Sequence, residues 1–290
     1  SRHERIGLVL ILATGLYLIK VLHSPVAFTF GDEFAHWRTA DDIIQTHRLF
    51  KTNPLLPVSA YYPGLEIVTA ALVQLSGLSI FHAGVVVLFV ARIVLTLSLF
   101  LFFERASHSA RVAGVASVLY TANPNYVFWS SQFSYESLAL PLATLVVLAI
   151  AMMVRVTENK DRIGANVAVT IIVLAIVPTH HMTSYALISF IALWVLVVAV
   201  KRRDFDFVKW LGASIRNLTA KLMKSSQWFR KFFQQLSTTD RRVLDHPYTP
   251  NERLPIWLLF FTLSMTVIWL VSVASLTVGY LAPVLSGAIT

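Results

Sequence analysis

Residues Ile6–Leu22, IGLVLILATGLYLIKVL, form an apolar run of membrane-crossing length whose only charge is Lys20 near its end. A lysine there reaches the headgroups while its methylenes stay buried. Just beyond lies Gly31–Arg38, GDEFAHWR, the densest ionisable cluster of the chain. The juxtaposition puts a candidate active site where a helix leaves the bilayer.

Composition agrees with that setting. Hydrophobic residues make up 56% of the 290, charged residues 13%, and mean hydropathy is +0.68. A soluble domain of this size cannot hide so much apolar surface, so most of it faces lipid or other helices. The absence of cysteine excludes disulfides, thiolate nucleophiles and cysteine-based metal centres. Arg2 and Arg5 before the first run imitate a signal peptide, but no small-residue cleavage pattern precedes His23 and further apolar runs follow.

Those further runs are Ala83–Phe103, Leu138–Val154, Ile163–Val177, Thr183–Val200 and Ile256–Tyr280, with shorter ones at Leu65–Leu78 and Val112–Val127. Seven or eight crossings are expected. None shows the alternation of a barrel strand, and only helices otherwise satisfy the backbone inside hydrocarbon. The expected fold is an all-α polytopic bundle forming a single transmembrane domain over 1–290, with juxtamembrane amphipathic helices.

Basic residues orient it. Lys201–Arg253 holds 12 of the 24 Lys and Arg against five acids, which places the loop 201–254 and the N-terminus in the cytoplasm. Counting back, Arg155–Arg162 and Glu104–Arg111 fall inside; Pro178–His181, Asn123–Glu136 and the loop 23–63 fall outside. Parity then requires one run between the first loop and Glu104 not to cross. Leu65–Leu78 is the choice, being short, polar at Gln74 and Ser76, flanked by Glu66 and closed by Gly77. In the basic loop, Val208, Leu211, Ile215, Leu218 and Leu222 recur at helical spacing among lysines and arginines, the pattern of a helix lying on the inner leaflet. That apolar face argues against nucleic-acid binding.

The 23–63 loop carries amphipathic helical pattern through Phe34, Trp37, Ile43 and Ile44, interspersed with Arg38, Asp41 and Asp42. Gly31-Asp32-Glu33-Phe34 ahead of such a helix, then Tyr61-Tyr62-Pro63-Gly64-Leu65, Gly77, an arginine within the next run and Glu136 opening a later one make an ordered set. It resembles the GT-C glycosyltransferases, most closely the branch of dolichyl-phosphate-mannose protein mannosyltransferases and the lipid A aminoarabinose transferase. The resemblance runs through roughly Ile6–Val154. It implies an integral-membrane enzyme of a prokaryotic plasma membrane that moves a sugar from a polyprenyl-phosphate carrier to a protein, glycan or lipid acceptor on the outer face. It further implies Asp32 as general base, with Glu33 as the alternative, because an acceptor hydroxyl must lose its proton as it attacks the anomeric carbon. The departing phosphate calls for a cation or divalent metal, and Arg38 is the candidate, its planar fork matching phosphate oxygens. His36 and Glu136 are further substrate-binding candidates. Here the chain departs from the branch: the charged residue expected before a Pro-Pro-Leu sequence is missing from Ala60-Tyr61-Tyr62-Pro63-Gly64-Leu65, and Glu66 stands as its substitute. Relatives continue further, so an N-terminal fragment is expected.

Three candidates have competing bland readings. His180 and His181, adjacent at a bilayer edge, read as tentative metal ligands or as interfacial histidines bonded to headgroups. Glu136 reads as a functional acid or as a charge at a helix start. Arg92, in mid-run, must face the bundle interior and pair with Glu66, Glu136 or a lipid phosphate, as substrate ligand or as structural pair. Asn123-Pro124-Asn125 is a helix break, with Tyr126, Phe128 and Trp129 as an interface belt. Intramembrane charge also suits a transporter or lipid flippase, and the missing acid suits a noncatalytic GT-C-like protein.

Overall fold

A computed structural model describes residues 1–153, 159–202 and 256–279. The basic loop helix expected within 201–254 falls largely outside the described residues. Ten α-helices are described: α1 Arg2–His23, α2 Gly31–Thr46, α3 Gly64–Ser76, α4 Ile80–Ser107, α5 Ala110–Thr121, α6 Pro124–Val127, α7 Tyr135–Met153, α8 Asn159–Ile176, α9 His181–Arg202 and α10 Ile256–Ser272. Short 3-10 turns occupy Ser59–Tyr61 and Trp129–Ser131, and among the described residues there is no strand.

Local chemistry sets the boundaries. Ser1, Ser79 and Ser109 cap α1, α4 and α5 by accepting from the third residue on, and Pro124 opens α6 under an Asn123 cap. Gly77 closes α3 in the left-handed conformation (φ 73°), which costs a glycine nothing.

α1, α4, α7 and α9 are long and apolar enough to cross a membrane, which marks a membrane protein; α3, Arg162–Ile176 of α8 and α10 are apolar but shorter. Among the described residues four helices thus reach that length, where the sequence leads to seven or eight crossings. The Val112–Val127 run is two helices, α5 ending at Thr121 and α6 starting at Pro124 under the Asn123 cap. In the Ile256–Tyr280 run α10 ends at Ser272, and helical residues resume at 276–279.

Contacts sort the helix termini into two ends. At one, Arg2 donates to Glu104 at 2.8 and 3.0 Å and Arg105 donates to the Ala151 carbonyl, joining the start of α1 to the ends of α4 and α7. At the other, Lys20 meets Glu33, the Gly64 amide donates to the Pro178 carbonyl at 3.2 Å, and Trp269 Nε1 donates to the Tyr61 carbonyl at 3.1 Å. The termini of α1, α2, α3, α7, α9 and α10 thus meet there. α3 starts at this end, and α4, which follows it after three residues, leaves from this end to reach Glu104. α3 is a 13-residue helix, shorter than the four long apolar helices. α4 packs on α1, α3, α5 and α7, while α7, α8, α9 and α10 share a second apolar core around Val146, Val173, Ile191 and Leu258.

Candidate functional site at the Asp32 end

Glu33 organises this end. Its carboxylate is fully buried and takes Lys20 Nζ and the Phe133 amide on one oxygen, and the Thr29 and Phe30 amides on the other. The last two amides are the open N-terminus of α2, so the residue closes its own helix while tying it to α1 and to the strand-free segment before α7. Both oxygens are occupied. Asp32, one residue earlier and about 100° round the helix, is exposed.

His36 lies a turn further on the buried side. Its Nδ1 is 2.5 Å from Glu66 Oε1, and both side chains are almost wholly enclosed. The edge of Tyr135 abuts the His36 ring at 4.4 Å; the same tyrosine stacks on His180 at 4.4 Å and 24°. His180 meets His181 at 5.2 Å, and His181 meets Tyr62 at 5.0 Å. A column of imidazoles and phenols therefore joins α2, α3, α7 and α9. It depends on Gly64: a Cβ there would lie 2.8 Å from Thr179 Cα, so only glycine lets α3 start against the turn before the histidines. The loop Asn53–Tyr61 is held to α2 by Asn53, which donates to the Ala35 carbonyl and Thr39 Oγ1 at 2.7 and 2.9 Å.

Glu136 is half-buried at the start of α7 within the field of Asp32, and His180 Nε2 stands 4.0 Å from it. That approach is not an ion pair. Burial, with help from His181 and His36, pushes His180 down to about 3, so its imidazole is neutral at physiological pH. Burial likewise pushes Tyr62 up to about 12. Two buried polar atoms in this cluster have no hydrogen-bond partner, Glu66 Oε2 and His181 Nδ1. Unsatisfied groups of this kind are rare enough to mark a place where something else binds or reacts.

The structure thus brings Asp32, Glu33, His36, Glu136, His180 and His181 to one place. His180 Nδ1 bonds Thr183 Oγ1 at 2.8 Å, and among the described residues no group of three or more acidic or imidazole side chains is arranged to hold a metal ion. Arg38 lies apart. Two residues beyond His36 it points about 200° round α2, half-exposed, with Nε on Asp42 Oδ2 at 3.1 Å; Lys51 holds the other Asp42 oxygen at 2.6 Å. Burial pushes Asp42 up, but the bonds from Lys51 and Arg38 outweigh it and hold the carboxyl below its ordinary value.

Arg92 is also apart, and it has none of the acidic partners expected. It donates to the Ala13 and Tyr126 carbonyls at 3.1 and 2.9 Å and to Ser131 Oγ at 2.6 Å, with its guanidinium 3.9 Å over the Tyr126 ring. Arg92 thereby ties α4 to α1 and to the irregular segment that follows α5. Sequence reasoning passed over Tyr135, Tyr62 and Asn53, whose roles exist only across elements. Glu66, an acid at the head of an apolar run, carried the one local signal.

Comparison of the chain with family models, curated proteins and solved structures finds no match.

Proposed function

We propose that the protein is a GT-C-like membrane glycosyltransferase that takes a sugar from a polyprenyl-phosphate carrier. The observation that carries this reading is an exposed carboxylate, Asp32, standing at the head of α2 immediately after a long apolar helix and beside Glu136 and the imidazole column. In the reaction an acceptor hydroxyl oxygen forms a bond to the anomeric carbon, the bond from that carbon to the carrier phosphate breaks, and the phosphate leaves with the electron pair. Asp32 takes the hydroxyl proton. Glu33 is too fully engaged to share this task and acts as the support that fixes where Asp32 stands. Arg38 and Lys51, gathered on Asp42 along the exposed side of α2, are the cations available to the phosphate; Arg38 is about 9 Å further along the axis than Asp32. The Glu66–His36 pair buttresses the buried side of the same helix.

Transport has less to recommend it, since the buried Arg92 is engaged by the Ala13 and Tyr126 carbonyls and by Ser131. The test is reconstitution of the full-length protein with polyprenyl-phosphate sugars. Asp32→Asn should abolish transfer and leave membrane abundance intact, and unchanged turnover would remove Asp32 from the mechanism.

A further inference from the structure

Between the end of α5, the α6 segment and the start of α7 lies a cavity of about 260 Å³, lined by Tyr120, Asn123, Asn125, Trp129, Glu136 and the buried ring of Tyr126, among others. We propose that this cavity binds the ring of a single neutral sugar. The inference deepens the transferase reading and rests on it for a biological role, but the binding it asserts is separable from transfer.

Size is the first argument. The volume falls short of the ~300–1,000 Å³ typical of pockets for drug-sized molecules, so the occupant is about one ring, not a multi-ring ligand. Lining chemistry is the second. A pyranose has an apolar face of C–H bonds and a rim of hydroxyls that both donate and accept. Trp129 is 44% exposed, and the edge contact with Phe128 at 5.2 Å leaves its indole in place to meet such a face. Its carbonyl is anchored by Ser137 Oγ at 3.1 Å. Asn125 supplies an amide with both donor and acceptor, and Asn123 keeps its NH₂ free because its oxygen is engaged by the Asn125 amide nitrogen at 2.9 Å. Glu136 accepts from hydroxyls.

Charge decides between a sugar and the main rival, a cationic headgroup. Aromatic rings with one carboxylate also suit an ammonium ion. Here, however, Arg92 sits behind the wall, stacked on Tyr126 and donating to Ser130, both of which line the cavity. Its positive charge opposes a cation and offsets that of Glu136. A neutral polyhydroxyl ligand incurs neither penalty. His180 Nε2 stands 4.0 Å from Glu136, which joins the cavity to the imidazole column.

The experiment is saturation-transfer NMR on the full chain in lipid nanodiscs with a panel of methyl hexopyranosides and methyl pentopyranosides. None carries a polyprenyl phosphate, so binding is read without transfer. At least one sugar should receive saturation on its ring C–H protons, falling at least fivefold in Trp129→Ala and in Asn125→Ala, and recovering substantially in Trp129→Phe. Unchanged melting temperatures establish that the variants are folded. Silence from the whole panel, equal signal in a folded Trp129→Ala protein, or saturation confined to phosphocholine methyl groups overturns the proposal, the last by assigning the cavity to a lipid headgroup. Sugar binding without any transferase activity in reconstitution would instead fault the transferase reading and leave the pocket standing.

Discussion

Glu33 and Glu66 are both wholly buried carboxylates at the same end of the bundle, and they are used in opposite ways. Glu33 receives four donors, two on each oxygen, from α1, its own helix start and the segment before α7. Glu66 has one neighbour, His36, and an oxygen left bare. A saturated buried charge is architecture: nothing remains for it to bind, and removing it strands every partner. An unsaturated one is held at a cost that packing alone does not explain. The contrast marks Glu33 as scaffold and leaves Glu66, beside His36, as the buried carboxylate with an oxygen to spare.

Breaking the saturated centre should have the largest effect. Glu33→Ala leaves Lys20 buried without a partner, and loss of one member of such a pair costs about 3–5 kcal/mol; thermal unfolding in detergent should show it together with a fall in membrane abundance. Glu66→Gln keeps the shape but replaces a charge-assisted bond, a loss of roughly 1.5–3 kcal/mol. Its transfer activity should fall further than its stability does, and nitrogen NMR of the His36 ring should report a changed tautomer. If activity and stability fall together, Glu66 is scaffold like Glu33.

Gly64→Ala probes the joint between them and the histidines. Its methyl meets the Thr179 hydroxyl and also Thr179 Cα and Cβ, which cannot swing away, so a cost of about 1–3 kcal/mol is expected, with the Tyr135–His180 stack disturbed in tyrosine fluorescence. For pH, the folded state holds His180 down to about 3 against an ordinary value of 6.5. The unfolded chain therefore takes up a proton first: stability from this group is complete above 6.5 and is lost as pH falls from there toward 3. His180→Gln should flatten that part of a stability–pH curve. Smallest of all, Lys51→Ala should cost about 0.2–1 kcal/mol, because half-exposed ion pairs are screened by solvent and salt.

Much of the frame was legible in residues read locally. The apolar lengths of α1, α4, α7 and α9 announce themselves, Gly77 announces the end of α3, and Asn123-Pro124 announces a break. The short apolar run from which α3 forms is legible too, closed by Gly77 as its composition suggests. The site was legible in part: Asp32, His36, Glu136 and the histidine pair do meet. Which of two adjacent acids is free was not, because Asp32 and Glu33 differ by a rotation about one helix whose burial depends on Phe133, a hundred residues away. The partners of Arg92 were not legible, since they are the Ala13 carbonyl on α1 and the Tyr126 carbonyl and Ser131 hydroxyl of the segment before α7.

The sequence alone therefore determined the helical membrane class and the end at which polar groups gather, because transfer into hydrocarbon is summed residue by residue along each run. Tertiary structure decided which acid is bare, which is saturated, and that aromatic and amide groups enclose a cavity at Glu136. Hydrogen bonds are satisfied between elements far apart in the chain, and no local window of residues specifies their partners.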